Sequence, residues 1–237
     1  MARGLSNIGG VGRLGLATLR EPFVRVLILA NGNPPSMELA TAAAAQHDLL
    51  IATDGAAARC AALGLAPALI CGDFDSLDLD AARREFPTAE FVETPDQNLA
   101  DLEKALLLAR ERGATEVTLL GAGGGRIDHT LSGIALLFRY HREMSLVIRH
   151  DGSTVHALSG TMNAAGSLHL AARPGDTISL VAFSPDNRVT LRGVAWELGN
   201  TRLPVGTHGV SNIAREGSVT VVVHEGEVVV CHLFKAP

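Results

Sequence analysis

The sequence predicts an α/β protein in which an N-terminal, doubly wound parallel sheet is followed by a C-terminal antiparallel β-sandwich. Three observations carry that expectation. From Phe23 to about His150, short apolar runs alternate with helical stretches, the pattern of parallel strands joined by crossovers. After His150 the helical periodicity stops, and short strand-like stretches are separated by Gly, Pro, Asn and Asp. Hydrophobic residues make up 47% of the 237 and aromatics only 4%, so the cores must be built largely of Ala, Val, Leu and Ile. The expected division is an arm over residues 1–22, an α/β nucleotide domain over 23–147 and a sandwich over 148–237, with the boundary near 141–152.

Taken in order, "FVRVLILANG" is a continuous apolar run ending in Asn-Gly, as in a strand buried on both faces. "SMELATAAAAQ" follows as a helix with Ser36 at its N-cap. "LLIATDG", "PALICGD" and "AEFVET" read as further strands, and "AAARCAALG" and "LDAARREF" as the helices between them. In "NLADLEKALLLARERG" the positions Leu99, Leu102, Leu106 and Ala109 share one helical face, and Gly113 is the expected stop. "EVTLLGAGG" and "DHTLSGIALLFRYH" add a strand and a helix. The second half offers "STVHALSG", "SLHLAAR", "DTISLVAFS" and "NRVTLRG" as strands, and "VTVVVHEGEVVVCHLF" as a hairpin turning at Glu225-Gly226.

The formal net charge of −5 argues against a general nucleic-acid binder, whose affinity rests on neutralising phosphates. It leaves room for one nucleotide in a locally positive pocket. No apolar run reaches the roughly 18 residues of a membrane span. Cys60, Cys71 and Cys231 are odd in number and far apart, forming neither a zinc pattern nor a disulfide framework, which points to a reducing cytoplasm. Residues 1–22 lack the apolar core of a secretory signal; they are expected to be an arm or the product of a mis-set start.

In an open parallel sheet, ligands bind beyond the carboxyl ends of the strands. The chemistry-bearing residues gather at those ends: "ANGN", "TDG", "GDFDS" and "GAGGGRIDH". Asp73 and Asp75 stand at i and i+2, between Gly72 and Ser76, so in extended backbone their carboxylates face one way. Two like charges held close repel unless a cation bridges them, and magnesium suits oxygen ligands shared with substrate phosphates. The alternative is a solvated loop with a capping aspartate. "TPDQNLADLEKAL" is similarly two-sided. Thr94, Pro95 and Gln97 could form a capping box, with Asp96 and Asp101 favouring the helix dipole, or Asp101 could be a ligand on a rigid platform.

"GAGGGRIDH" follows a strand and has too many glycines for a helix. Gly123 and Gly124 would let backbone N–H groups approach phosphate oxygens. Arg126 in the sixth position breaks the dinucleotide fingerprint, and the Walker A pattern is absent. Arg126 could fork onto a phosphate. Asp128 could take a sugar hydroxyl or cap the next helix, and His129 could join in acid–base work or be structural. In the second half, Ser211 and Asn212 follow a Gly-rich bend in "GTHGVSN". Trp196 would ordinarily be core, although stacking on a flat heterocycle is open to it.

Together these pieces resemble thiamine pyrophosphokinases. "TDGAAARCAALGLAPALICGDFDSLD" is similar to that family's D-G-[GA]-A segment running into G-D-F-D-S. "TPDQNLADLEKAL" resembles its D-x-D-x-T-D-[FL]-E-K-A-L helix start, "LLGAGGGRIDHTLSG" its G-[AG]-x-G-G-R-x-D-H-x-L motif, and "LPVGTHGVSN" its G-x-S-N turn. The matches run in family order from about Asn31 to the C-terminus. The resemblance implies transfer of pyrophosphate from ATP to thiamine with release of AMP, by a homodimer. It implies Asp73, Asp75 and Asp101 as magnesium ligands, with Arg126 beside the phosphates. Asn31, Asp54, Gly55, Gln97, Gly123, Gly124, Arg126, Asp128 and His129 fall on the nucleotide edge, and Ser211, Asn212 and Trp196 on the thiamine site. Three positions depart from the pattern: Asn98 replaces the middle acid of D-x-D-x-T-D, Ala100 its Thr, and Ile213 the Glu that commonly follows Ser-Asn. They leave a pyrophosphokinase for another alcohol, such as a hydroxymethyl-pterin, or a non-catalytic binding module, as the alternatives.

Overall fold

The computed structural model describes residues 24–75 and 77–235; the expected N-terminal arm and Ser76 lie outside them. The first half alternates as the sequence predicts: β1 (Val24–Leu29), α1 (Met37–Gln46), β2 (Leu49–Thr53), α2 (Ala57–Ala62), β3 (Leu69–Gly72), α3 (Leu79–Glu85), β4 (Glu90–Glu93), α4 (Asp101–Glu111), β5 (Ala114–Leu120), α5 (Ile127–Tyr140) and β6 (Ser145–His150). These strands form an all-parallel sheet in the order β6-β5-β1-β2-β3-β4. The chain leaves β1 in one direction through β4, then returns to its other side as β5 and β6. The topological switch point therefore lies between β1 and β5.

The apolar composition of the strands follows from burial on both faces. Along β1, Val26 and Ile28 enter the core with Leu106, Leu119 and Leu137. Leu27 and Leu29 enter the opposite core with Ala40, Ala43 and Ile70. Small alanines on α1 and α2 let those helices sit close to the sheet. Ser36 caps α1 by accepting from the Leu39 N–H at 3.2 Å, and Gly113, at φ +79°, ends the last turn after α4. The segment before α4 differs from the capping-box expectation. The helix begins at Asp101, behind Ala100, which offers no side-chain cap. Thr94 extends the β3–β4 ladder instead, donating its N–H to Gly72 O at 2.8 Å. Leu99 consequently precedes the helical face expected to include it.

The second half adds β7 (Ser153–Gly160), β8 (Gly166–Ala171), β9 (Thr177–Ala182), β10 (Asn187–Arg192), β11 (Leu198–Leu203), β12 (Asn212–Ile213) and β13 (Ser218–Leu233). Parallel pairing changes to antiparallel between β6 and β7, across Asp151-Gly152. The sheet continues through that change. The expected hairpin at Glu225-Gly226 is absent: β13 is one strand of 16 residues. Its first half pairs with β8 and β10, and its second with β7 and β9. Gly226, at φ +89°, bends the strand from one layer to the other. A Cβ there would overlap Asn187 Oδ1, which accepts the next N–H, that of Glu227, at 2.8 Å. Ile178, Leu180, Val189, Val221, Val228 and Val230 fill the space between the layers.

His156 on β7 packs largely out of solvent, bonded through Nε2 to Thr154 Oγ1 at 3.2 Å. Burial first, and then the neighbouring His232, lowers its pKa to about 4. The unfolded chain takes up this proton near pH 6.5, so stability present above that pH is lost as pH falls towards 4. We expect a loss of about 2–3 kcal/mol across that window. Urea denaturation of wild type and His156→Gln at pH 7.5 and 4.5 checks it: the variant should lose most of the difference between the two pH values.

Candidate functional site

Because the strands of the first half are parallel, the loops after β1, β2, β3 and β5 emerge at one edge, and α4 and α5 start there. Two of these loops are joined at the switch point. Gly32 N–H donates to Gly121 O at 2.6 Å, and Asn33 N–H to Gly123 O at 2.9 Å. The approach requires glycine: a Cβ on Gly32 would overlap the Gly121 carbonyl, and one on Gly121 (φ +66°) the Ala30 carbonyl. The Arg59 guanidinium, from α2, donates to Gly32 O. A cavity of about 350 Å³ opens beside this junction, lined by Asn33, Pro34, Pro35, Gly121, Arg149, His150, Asp151 and Gly152. Larger cavities of about 400 and 500 Å³ lie elsewhere on the sheet and are lined by none of Asp54, Asp73, Asp75 or Asp101.

Asp54, after β2, is buried and acts as an anchor. Its carboxylate accepts from Gly55 N–H at 2.6 Å and from Phe74 N–H at 3.2 Å. It lies where a Cβ on Gly72 would be, which explains the glycine before Asp73. Phe74 takes φ +60° to make the contact. Burial, and then the charges of Asp101 and Asp73, push the Asp54 carboxyl up, against the bonds from Gly55 and Phe74. The same fields place Asp54, Asp73 and Asp101 in one electrostatic neighbourhood. Asn31 reaches across from the β1 loop, its amide against Gly55.

Asp73 and Asp75 project from the turn that Asp54 holds. Gln97 Nε2 donates to Asp73 Oδ2 at 3.0 Å, and that bond leads the effects lowering the Asp73 pKa. Gln97, expected on the nucleotide edge, thus stands in direct contact with the acid. Asp101 opens α4 and bonds Lys104 Nζ at 3.2 Å. Asn98 turns inward, donating both its N–H and its amide to Asp96 Oδ1 at 2.9 Å, so its side chain is engaged within the loop. Among the described residues, no three His, Cys, Asp or Glu side chains converge closely enough to hold a metal by themselves. The donor set is all oxygen, and a magnesium ion ordinarily needs only one or two carboxylates when phosphates and waters complete its shell. The residues fit such a shared ion, not a preformed cage.

On the other side of the switch point, Arg126 forks onto Asp128, Nε to Oδ1 at 3.1 Å and Nη2 to Oδ2 at 2.5 Å. That pairing brings Asp128 down to about 2. Asp128 also accepts from His129 N–H at 3.0 Å, within the first turn of α5, whose N-cap residue is Arg126, and His129 stays exposed. Thr130 Oγ1 accepts from Gly124 N–H at 3.1 Å and steadies the glycine loop.

Trp196, Ser211 and Asn212 form a separate cluster. Asn212 is buried and tied to the backbone of Trp196: Oδ1 accepts its N–H at 3.1 Å and Nδ2 donates to its carbonyl at 2.7 Å, and Oδ1 also accepts from Ile213 N–H at 2.9 Å. Asn212 therefore supports the tryptophan. The ring itself is 63% exposed, beside the exposed Val210 and Ser211, the latter at φ +65°. From β3 to β12 the path crosses eight strand spacings, about 38 Å along the sheet. Counted along the strand order, this cluster and the acids stand at opposite ends of the path.

Sequence reasoning missed Lys104, Arg59 and Thr130. Lys104 stood in plain view in "DLEKAL", one helical turn after Asp101, a spacing that pairs side chains. Arg59 carries no local signal, since its partner, Gly32 O, is a backbone atom brought close by folding, whereas Thr130 bonds within its own loop and helix start.

The family model described as "Thiamin pyrophosphokinase, catalytic domain" matches residues 40–148, and that described as "Thiamin pyrophosphokinase, vitamin B1 binding domain" matches residues 167–228. Thiamine pyrophosphokinase 1 of Arabidopsis thaliana is 28% identical over 166 residues, 65% of this chain and 61% of that protein. The match thus spans less than two thirds of that relative's length. Thiamine pyrophosphokinase of Bacillus subtilis is also 28% identical over 166 residues, covering 68% of this chain and 76% of that protein. The solved Bacillus subtilis structure superposes with a TM-score of 0.75 at 22% identity, over 89% of this chain and 99% of that one. A thiamin pyrophosphokinase family protein from Enterococcus faecalis gives 0.74 at 26% identity, over 88% and 98%. With both domain models matched in order along a shared fold, the chain belongs to the thiamin pyrophosphokinase family.

Proposed function

We propose that this protein transfers the pyrophosphoryl group of ATP to the hydroxyethyl oxygen of thiamine, releasing AMP. The observation that carries the reading is the shared edge: Asp73, Asp75 and Asp101, after β3 and β4, stand at the same carboxyl edge of the parallel sheet as the paired glycine loops after β1 and β5. The new bond forms between the thiamine oxygen and the β-phosphorus as the bond from that phosphorus to the α-phosphate oxygen breaks, and the hydroxyl proton is lost. Such transfers depend on alignment and charge neutralisation more than on covalent help. Magnesium, when bound, supplies that neutralisation. Asp73 and Asp75 would hold it, with Asp101. Gly123 and Gly124 present backbone N–H groups to the phosphates. Arg126 exchanges Asp128 for an anionic oxygen, and its fork suits a phosphate.

The distance between the acids and the Trp196–Ser211 cluster supports a homodimer in which one protomer's cluster serves its partner's acids. On that reading, Asp75→Asn and Trp196→Ala are each nearly inactive alone. Mixed and reannealed in equal amounts, they should recover about a quarter of wild-type AMP release, since half the dimers then carry one intact site. AMP release with thiamine, measured alone and after mixing, is the experiment. Absence of thiamine-dependent AMP release from wild type overturns the function, and absence of recovery overturns the shared site. Cys60, Cys71 and Cys231 are free thiols, which suits a reducing, cytoplasmic setting. Among the described residues, no helix is long and apolar enough to cross a membrane.

A further inference from the structure

Lys104 is a cation in an unusual position. Its side chain is 4% exposed, and its ammonium faces Asp101 Oδ1 at 3.2 Å. An ammonium has three N–H donors, yet among the described residues Asp101 is its one hydrogen-bond partner. That partner is itself 47% exposed and stands at the mouth of the site. A buried charge is costly unless well paired, so a single half-solvated carboxylate is a thin compensation. The charge also bears on Asp73 and Asp96. Among the described residues the acids do not converge into a metal cage, and the positive charge that bonds one of them, Asp101, is this ammonium.

We propose that Lys104 is a built-in counter-ion that keeps the carboxylates from taking up a divalent metal until a polyphosphate arrives, and that its ammonium then passes from Asp101 to a phosphate oxygen. The physical basis is repulsion between an ammonium and a divalent ion a few ångströms apart, which is large even at the dielectric of a protein surface. A polyphosphate reverses the balance by bringing several negative charges for both cations to share. Asp101, released, is then free to join Asp73 and Asp75 around the ion. The consequence is an ordered site: metal enters with the nucleotide, not before it. This inference rests on the pyrophosphokinase reading above, but its test does not depend on turnover.

The test uses the full chain, without nucleotide, and Mn²⁺ as a spectroscopically visible probe of the metal. Lys104→Gln should bind Mn²⁺ roughly tenfold more tightly than wild type, because it lacks the opposing charge. In excess chelator, with radiolabelled ATP followed by equilibrium dialysis, the same variant should bind ATP roughly tenfold more weakly. Lys104→Arg, which retains the charge, should stay near wild type in the Mn²⁺ titration. A merely structural lysine would not raise metal affinity on removal. Equal Mn²⁺ binding by wild type and Lys104→Gln overturns the proposal. If circular dichroism shows that Lys104→Gln is unfolded, Lys104→Met replaces it, keeping the aliphatic stem. If both fail to fold, tight micromolar Mn²⁺ binding by the wild-type chain alone overturns the proposal, and weak binding alone with metal uptake on adding ATP supports it. Loss of thiamine-dependent AMP release in wild type, with the Mn²⁺ difference intact, would fault the substrate and leave the role of Lys104 standing.

Discussion

Asp75→Asn should lower thiamine-dependent AMP release by roughly a hundredfold or more while leaving stability within about 0.5 kcal/mol of wild type. The two halves of that expectation have separate grounds. Asp75 is exposed, and only its backbone N–H takes part in the local network, donating to Asp73 Oδ1 at 3.4 Å. The turn that carries it is held from below by Asp54, through Phe74, and among the described residues the Asp75 carboxylate makes no hydrogen bond or ion pair. Its negative charge is the part that matters, because the amide oxygen of Asn remains a ligand but neutralises nothing. Steady-state kinetics at saturating magnesium, beside a thermal melt, decides the matter. A variant with unchanged turnover would remove Asp75 from the metal-holding set.

Gly121→Ala carries the largest expected structural effect. An alanine at φ +66° pays roughly 1–2 kcal/mol for the left-handed conformation alone. Its Cβ would also overlap the Ala30 carbonyl oxygen. Neither backbone can give way freely, since the β1 and β5 loops are tied by the bonds of Gly32 to Gly121 and Asn33 to Gly123. We expect a total loss of about 3 kcal/mol or more, together with weakened ATP binding, because the junction forms the base of the glycine loop. Gly113→Ala is the control. It shares the positive φ, at +79°, but nothing lies near its missing Cβ, so about 1 kcal/mol is expected. Chemical denaturation of both variants, with ATP binding measured beside it, separates backbone strain from collision.

Much of the N-terminal half was legible because its signals are local. Apolar runs such as Val24–Leu29 are buried on both faces, Ser36 caps its helix, and Gly113 ends one. Each depends on residues within a turn or a strand of itself. The misread segments are those where a distant partner chose between two local options. "TPDQN" suits a capped helix start, but Thr94 is taken up by the edge of β3. "VHEGEV" suits a tight hairpin, but Asn187 and Ser184 receive the Glu227 N–H and the strand continues through a bend. A glycine with positive φ serves a turn and a strand bend equally well, and the choice lies with whatever accepts the neighbouring N–H.

The site divides along the same line. By itself the sequence determined which residue types stand at the ends of the strands, because parallel strands joined by crossovers bring all those ends to one edge whatever the details of packing. That was enough to collect Asp73, Asp75, Asp101 and the glycine loop. Only the tertiary structure decided that Asp54 and Asn212 support neighbouring backbone, that Lys104 lies buried against Asp101, and that Trp196 and Ser211 sit far along the sheet from the acids. The parallel pairing of the first half follows from the chain's local alternation. A side chain's partner, and the distance between two clusters, depend on how long-range pairing and burial settle across the whole molecule.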